Sequence, residues 1–188
     1  MTKNIMIVGV GGQGTLLTSR IIGKVALEAG YDVKISEVHG MAQRGGSVVT
    51  FVRYGDKVYE PVCEEGHTDV IIAFERLEAL RYAHFLKKGG KLIINDTKIE
   101  PMTVVIGAKE YPENIIENLS KNYDVSSINA QSIALELGNS KVINSVVLGF
   151  ASKSIGFDKD EWLKVIESTV PPKTIEINKN AFVKGYEA

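Results

Sequence analysis

The chain has 188 residues, 44% of them hydrophobic, and a formal net charge of −1. This length suits one domain over residues 1–188 that buries its own core, and the near-zero charge does not favour nucleic acid or an anionic membrane as partner. The short apolar N-terminus lacks the pattern of a signal peptide, and no apolar run reaches the length of a transmembrane helix. We therefore expect a cytoplasmic protein.

The N-terminal segment predicts a strand, a glycine turn, a helix and a second strand. An apolar run over residues 4–10 ends in glycines, as buried parallel strands often do. Over residues 13–29, Leu17, Ile21 and Val25 recur four positions apart, and Gly30 follows as a helix stop. A second strand is predicted at residues 33–36, so this segment reads as a βαβ unit.

The rest of the chain continues to alternate between short apolar runs and helical periods. Residues 47–54 and 57–62 suggest two strands joined by a tight turn at Gly55 and Asp56. Further strands are predicted at 69–74, 91–95, 103–106 and 124–126. Helices are predicted at 75–86, 114–121, 130–137, 142–155, 159–168 and 179–186. The pattern indicates one α/β, Rossmann-like domain with a mostly parallel sheet and a helical C-terminal third.

The glycine turn between the first strand and the first helix has the spacing G-x-G-x-x-G, formed by Gly9, Gly11 and Gly14. Glycines at such a turn expose backbone amides at the start of a helix, which attract an anion. A dinucleotide site needs an acidic residue at the end of the second strand; Asp32 is too early and Glu37 late. An anionic ligand, NAD, or close packing of helix on strand all remain open. The predicted cofactor-binding residues of this turn are Gly11, Gly12, Gln13 and Gly14.

A second glycine-containing loop follows the second strand. It carries His39 and Arg44 in a stretch without hydrophobic periodicity. Arginine is suited to bidentate binding of phosphate or carboxylate. Both loops leave the carboxyl ends of strands and should face one cleft or one partner surface. The cofactor-binding residues predicted here are Arg44, Gly45 and Gly46; those predicted to line the partner or active-site rim are Ser36, His39, Gly40 and Met41.

Other chemistry-bearing residues give weaker signals. Asn95 follows a strand at the same edge and is included in the predicted rim, although it could equally cap a turn. Glu75, Glu78 and Arg81 are expected on a solvated helix face. Cys63 is the single cysteine, so this chain cannot supply the four thiolates of an iron–sulfur cluster. No metal site and no catalytic side chain is predicted.

The two loops together resemble the small subunit of indolepyruvate:ferredoxin oxidoreductases, relatives of the gamma subunit or domain of 2-oxoacid:ferredoxin oxidoreductases. The resemblance runs nearly end to end. It rests on residues 9–14, on residues 36–47, on residues 93–96, and on positions toward the C-terminus. Those positions are Asn144, Leu148, Gly149, Asn178, Ala181, Phe182 and Gly185.

The resemblance implies a subunit of an enzyme that oxidatively decarboxylates aryl pyruvates, forms acyl-coenzyme A and reduces ferredoxin. Thiamine diphosphate and iron–sulfur clusters would lie on a larger partner subunit, because this chain has neither the cysteines nor the Gly-Asp-Gly…Asn-Asn thiamine motif; Gly55 and Asp56 run into Lys57. Coenzyme A is the implied substrate and ferredoxin a partner through the complex. A free-standing nucleotide-binding oxidoreductase and a purely structural subunit are the alternatives.

Overall fold

A computed structural model describes residues 2–39 and 45–188 of the chain. Their strands form one six-stranded sheet in the order β2-β3-β1-β4-β5-β6. Every strand except β3 runs in the same direction, which confirms the mostly parallel sheet. The strands are β1 (Lys3–Val10), β2 (Asp32–His39), β3 (Ser47–Gly55), β4 (Thr68–Ala73), β5 (Leu86–Asn95) and β6 (Asp124–Ile128).

Helices cover both faces of this sheet, and the last four confirm the predicted helical C-terminal third. The eight α-helices of the described residues are α1 (Thr15–Glu28), α2 (Arg76–Tyr82), α3 (Met102–Val105), α4 (Ile115–Ser120), α5 (Ala130–Glu136), α6 (Ile143–Ile155), α7 (Lys159–Thr169) and α8 (Ile175–Glu187). Short 3-10 turns at Ala83–Phe85, Ser140–Val142 and Pro172–Thr174 connect some of them.

Side chains along β1 point alternately to the two faces of the sheet and so contribute to two separate core layers. Ile5 and Ile7 face a cluster that includes α1 and the C-terminal helices, with Trp162 fully buried within it. Met6 and Val8 face the other cluster, which α2 and α4 cover. This is the period-two pattern of a strand buried on both faces. The protein is thus a layered α/β sandwich.

The predicted βαβ unit is present, but its two strands are not neighbours. β3 pairs antiparallel with β1 on one side and with β2 on the other. The predicted strand at residues 57–62 is wrong, because both edges of β3 are already taken. Instead, the Arg53 guanidinium donates to the carbonyls of Glu60 (3.0 Å) and Val62 (2.8 Å), and the Val58 amide donates to Asp32 Oδ2 (2.9 Å).

The predicted strand at residues 103–106 is also wrong. These residues lie in and beside the short helix α3, which begins after Pro101. The amides of Val104 and Val105 both donate to the Pro101 carbonyl, at 2.8 and 3.1 Å. β4 and β6 already flank β5, the strand that precedes this run, and the β-branched run satisfies its backbone locally.

The expected solvated helix face is confirmed for Arg81, which is exposed, but is wrong for Glu75 and Glu78. Glu75 is 1% exposed and Glu78 is 4% exposed. The Glu75 carboxylate caps α2 by accepting from the Glu78 amide (3.0 Å), and it also accepts from the Ile99 amide (3.1 Å) and the Tyr111 hydroxyl. These bonds fasten the segment between β5 and α4 onto α2.

Across residues 2–39 and 45–188, no helix combines the length and apolarity needed to cross a membrane.

Candidate functional site

The glycine turn lies where β1 meets α1, as the sequence predicts. Gly12 (φ 101°) and Gly14 (φ 83°) adopt left-handed backbone conformations that other residues rarely tolerate. Gly14 is the N-cap of α1 and offers no side-chain cap, and the first turn of the helix has no acidic residue. The positive end of the helix dipole therefore faces outward without a negative group of its own.

Gln13, the remaining member of the turn, uses its side chain internally. Its Oε1 accepts from the Val10 amide at 2.7 Å, and its Nε2 donates to the Phe74 carbonyl at 2.9 Å. The carboxamide thus ties the end of β1 to the end of β4. Its contribution to the turn is to fix the shape of the backbone.

The second loop returns to the glycine turn where it enters β3. The Gly11 amide donates to the Gly46 carbonyl at 2.9 Å, and Gly45 has a left-handed backbone (φ 78°). The next residue, Ser47, donates from Oγ to Glu78 Oε2 at 2.5 Å. The predicted neighbours Gly11, Gly45 and Gly46 are therefore close together in the fold. Gly40, Met41 and Arg44 lie outside the described residues.

A cavity of about 420 Å³ separates the glycine turn from the end of β2. His39 and Glu37 lie on its β2 side, on the same face of the strand. Ser36, predicted as a rim residue, directly precedes Glu37 in β2 and therefore points to the opposite face of the strand. The lining consists of Gly11, Gly12, Gly14, Thr15, Leu16, Glu37, His39 and Val48.

A second cavity, of about 450 Å³, lies on the other flank of the same turn. Elements far apart in sequence form it: the turn, the end of β5, α5, and the 3-10 turn that leads into α6. Its lining contains one cation and no carboxylate. The lining residues are Gly12, Gln13, Gly14, Leu17, Asn95, Thr97, Ile99, Gln131, Ser140, Lys141, Ile143 and Asn144.

Asn95 borders this second cavity but is 1% exposed. Its Nδ2 donates to the Phe74 carbonyl (3.2 Å) and to Thr97 Oγ1 (3.1 Å), and its Oδ1 accepts from the Ala130 amide (3.1 Å). The side chain therefore holds the ends of β4 and β5 against the start of α5. A rim role for Asn95 remains a prediction, and these bonds indicate that it would act by shaping the rim.

The buried ionisable groups with shifted pKa values include Glu78 and Cys63. Burial raises the pKa of the Glu78 carboxyl, against the lowering effect of its bond from Ser47 and of nearby Arg81. Burial also raises the pKa of the Cys63 thiol to about 11. A thiol of this kind is a poor nucleophile at neutral pH, and Cys63 lies in a loop away from both cavities.

Within the described ranges, no group of three or more histidine, cysteine, aspartate or glutamate residues is arranged to hold a metal ion. Another polar cavity, of about 620 Å³, lies near α4. Its most buried cation, Arg76, is already paired with Asp96, so the charge there is compensated within the chain.

Sequence reasoning missed Lys141 as a site residue and gave Asn144 no role. More than 120 positions separate them from the glycine turn, and only the packing of α6 against it brings them together. One signal was available: Asn144 is a polar residue at the start of an otherwise apolar helical period.

Comparisons with known proteins show that the chain is similar to subunits of oxidoreductases. The family described as pyruvate ferredoxin/flavodoxin oxidoreductase matches residues 4–188. The chain is 45% identical to indolepyruvate oxidoreductase subunit IorB of Archaeoglobus fulgidus, over 99% of this chain and 94% of that protein. It is 42% identical to the subunit of the same name from Thermococcus kodakarensis, over 98% and 95%.

A solved structure resembles the whole fold. It is the gamma subunit of keto/oxoacid ferredoxin oxidoreductase from Geobacter sulfurreducens, with a TM-score of 0.71 and 25% identity. The match covers 98% of this chain and 96% of that one. The likeness in length and in fold is therefore end to end.

Proposed function

The chain belongs to the pyruvate ferredoxin/flavodoxin oxidoreductase family, and from this premise we propose that it is the small, non-thiamine subunit of an indolepyruvate:ferredoxin oxidoreductase. The complex would oxidatively decarboxylate an aryl pyruvate, transfer the acyl group to coenzyme A and reduce ferredoxin. The observation that carries the proposal is the likeness to IorB subunits over nearly the full length of both chains.

The side chains of this protein do not fit the redox and thiamine cofactors of such a reaction. The only cysteine is buried in the core, and a cluster needs several thiolates. Thiamine diphosphate and iron–sulfur clusters on a larger partner subunit would supply the carbanion and electron-transfer chemistry. No catalytic side chain is proposed in this chain.

The contribution proposed for this subunit is a surface that binds and orients. The glycine turn presents backbone amides and a helix start, and the second loop is tied to it through Gly11 and Gly46. Together with Arg44, these groups suit the phosphates of coenzyme A or the rim of an active site on the partner. Residues 1–188 would act as one gamma-type unit.

One observation favours the alternative of a free-standing nucleotide-binding oxidoreductase. Glu37 lies at the end of β2 and shares a cavity with the glycine turn, as an acidic residue that contacts a ribose would. However, β3 stands between β1 and β2, which moves Glu37 about 5 Å further from the turn than in a fold where these strands are neighbours. The spacing therefore weighs against NAD.

The test is to purify the chain with and without the large thiamine- and iron–sulfur-containing subunit. The lone chain should contain neither iron nor thiamine, should not oxidise indolepyruvate with a dye as acceptor, and should not bind NAD tightly. It should co-elute with the large subunit. Turnover or tight NAD binding by the lone chain would contradict the proposal, and failure to associate would also contradict it.

A further inference from the structure

The carboxylate of Glu78 is buried against the start of β3, although Glu78 itself belongs to α2. The residue is 4% exposed. Its Oε2 accepts from Ser47 Oγ at 2.5 Å, and its Oε1 lies 3.4 Å from Nε of Arg81. A buried carboxylate is costly unless hydrogen bonds or opposite charges compensate it. Because Arg81 is exposed, the bond from Ser47 is the buried part of that compensation.

Tyr82, one turn after Glu78 in α2, fixes the direction of this bond. The Tyr82 hydroxyl lies 3.3 Å from Ser47 Oγ, and either group could donate. An ionised carboxylate can only accept, so the Ser47 proton goes to Glu78 and the Tyr82 hydroxyl donates to Ser47. Two side chains on one face of α2 therefore hold a single hydroxyl of β3.

Ser47 lies where the second loop enters the sheet. It pairs with Val10, the last residue of β1, in the antiparallel register of β1 and β3. The residue before it, Gly46, accepts from the Gly11 amide at 2.9 Å. The bond to Glu78 therefore acts one residue away from the bond that joins the second loop to the glycine turn.

The connection between β4 and α2 also holds the glycine turn. Gln13 Nε2 donates to the carbonyl of Phe74 at 2.9 Å, four residues before Glu78. Residues 75–78 are the N-cap and the first turn of α2, so Phe74 and Glu78 belong to one short, ordered segment. This segment binds the glycine turn at one end and the second loop at the other, and it thereby fixes the two loops relative to each other.

We propose that Glu78 is a positioning residue of this subunit: through Ser47 it holds the end of the second loop, so that the Gly46 carbonyl meets the Gly11 amide. The inference rests on the proposed function, because these loops are the surface proposed to bind coenzyme A or to form the rim of the partner's active site. Glu78 is buried and acts only through Ser47. Its loss should weaken binding at the loops and leave the chemical step on the partner subunit unaltered.

The first test is the exchange rate of the Gly11 amide with solvent, measured by NMR on the full chain, which reports local opening of its bond to Gly46. Ser47→Ala removes the donor, and Glu78→Met removes the acceptor at similar volume. Each should raise the rate about tenfold, and the double variant should raise it no further, because both changes remove one bond. Glu78→Gln retains an acceptor oxygen and should keep most of the protection.

Ser152→Ala is the matched control. Ser152 is 1% exposed and donates to the Gly149 carbonyl at 2.7 Å, but it lies in α6, on the face of the sheet opposite α2. The control should leave the exchange rate of Gly11 unchanged. An equal rise in the control would indicate a general loss of stability and would overturn the proposal. Unchanged exchange in Ser47→Ala and Glu78→Met would overturn it as well.

The second test uses the enzyme assembled with the large subunit. Ser47→Ala and Glu78→Met should raise KM for coenzyme A or for the 2-oxo acid about three- to tenfold and leave kcat within about twofold, and Glu78→Gln should return KM toward the unaltered value. Unchanged KM despite faster exchange of Gly11 would overturn the positioning role. Failure of the proposed function would overturn the role in this reaction with a different signature: the unaltered chain would not support turnover, while the exchange rates would still follow the expected order.

Discussion

The amide of Gly11 donates a 2.9 Å hydrogen bond to the carbonyl of Gly46, and this bond joins the two glycine-containing loops that carry the family resemblance. Gly11 follows β1, and Gly46 precedes β3, the strand that pairs with β1 along its whole length. The antiparallel pairing therefore brings the exit of one strand beside the entry of the other. A movement of the second loop would therefore also move the glycine turn and change its contacts with any ligand bound there.

We expect Gln13→Ala to lower stability in addition to any effect on binding. The substitution removes the acceptor for the Val10 amide and the donor to the Phe74 carbonyl. Loss of these bonds should reduce the free energy of unfolding by about 1–3 kcal/mol, measured by urea denaturation. Gln131→Ala, at an exposed glutamine, is the control. Equal stability of the two variants would refute the structural role of Gln13.

Glu78 should make stability depend on pH. Because burial raises its pKa in the folded state above the unfolded value near 4.5, the folded protein binds this proton more tightly. The associated stability is present below about pH 4.5 and is lost as pH rises through the folded pKa. Glu78→Gln should flatten this part of the urea-unfolding profile. An identical slope in the unaltered protein and the variant would contradict the assignment; Glu113→Gln, at an exposed glutamate, should change nothing.

Gly149 sets the distance between α6 and α8. A β-carbon there would lie 2.0 Å from the Phe182 carbonyl oxygen, a backbone atom that cannot move alone. Gly149→Ala should therefore cost about 1–3 kcal/mol or more by overpacking. Gly23→Ala is the matched control in α1, because the one close contact of its β-carbon is the flexible end of the Ile35 side chain, at 2.6 Å. Thermal melts that rank the two variants equally would rule out this close approach as a determinant of stability.

Arg44→Ala tests the predicted role of the second loop in the assembled enzyme. We expect the apparent requirement for coenzyme A or for the 2-oxo acid to rise about ten- to a hundredfold, or the subunits to dissociate more readily, since a charge-assisted contact is worth about 1.5–3 kcal/mol. Steady-state kinetics and gel filtration measure these two effects. Arg20→Ala, at an exposed arginine of α1, is the control. Unchanged kinetics together with unchanged assembly would show that Arg44 has no role in binding or in assembly.

Much of the fold could be predicted because its signals are local. The apolar runs at β1, β4 and β5 and the four-residue period of α1 depend on neighbouring residues alone. The insertion of β3 between β1 and β2 could not be predicted, because pairing partners are set by the whole sheet. The errors at residues 57–62 and 103–106 have the same origin: both runs suit a strand, but the strand that precedes each of them, β3 or β5, already has a partner on both sides.

The candidate site divides in the same way. The glycine turn and the helix after it could be recognised from the G-x-G-x-x-G spacing. Gly46 could be assigned to the site because it lies in the glycine-containing loop after the second strand. Glu75 is covered by a segment that folds back from beyond β5, and Glu78 lies against Ser47 at the start of β3. An exposed helix face has the same sequence pattern. Lys141 and Asn144 reach the turn only through the packing of α6, which no local pattern encodes.

The most direct measurement of the central claim is a titration of the large subunit with this chain while coenzyme A-dependent oxidation of indolepyruvate is followed with ferredoxin or a dye as acceptor. If the chain is the small subunit, activity should rise with added chain and saturate at a fixed ratio of the two proteins, and the chain alone should give no turnover. Full activity of the large subunit before any chain is added, with no change on addition, would contradict the account.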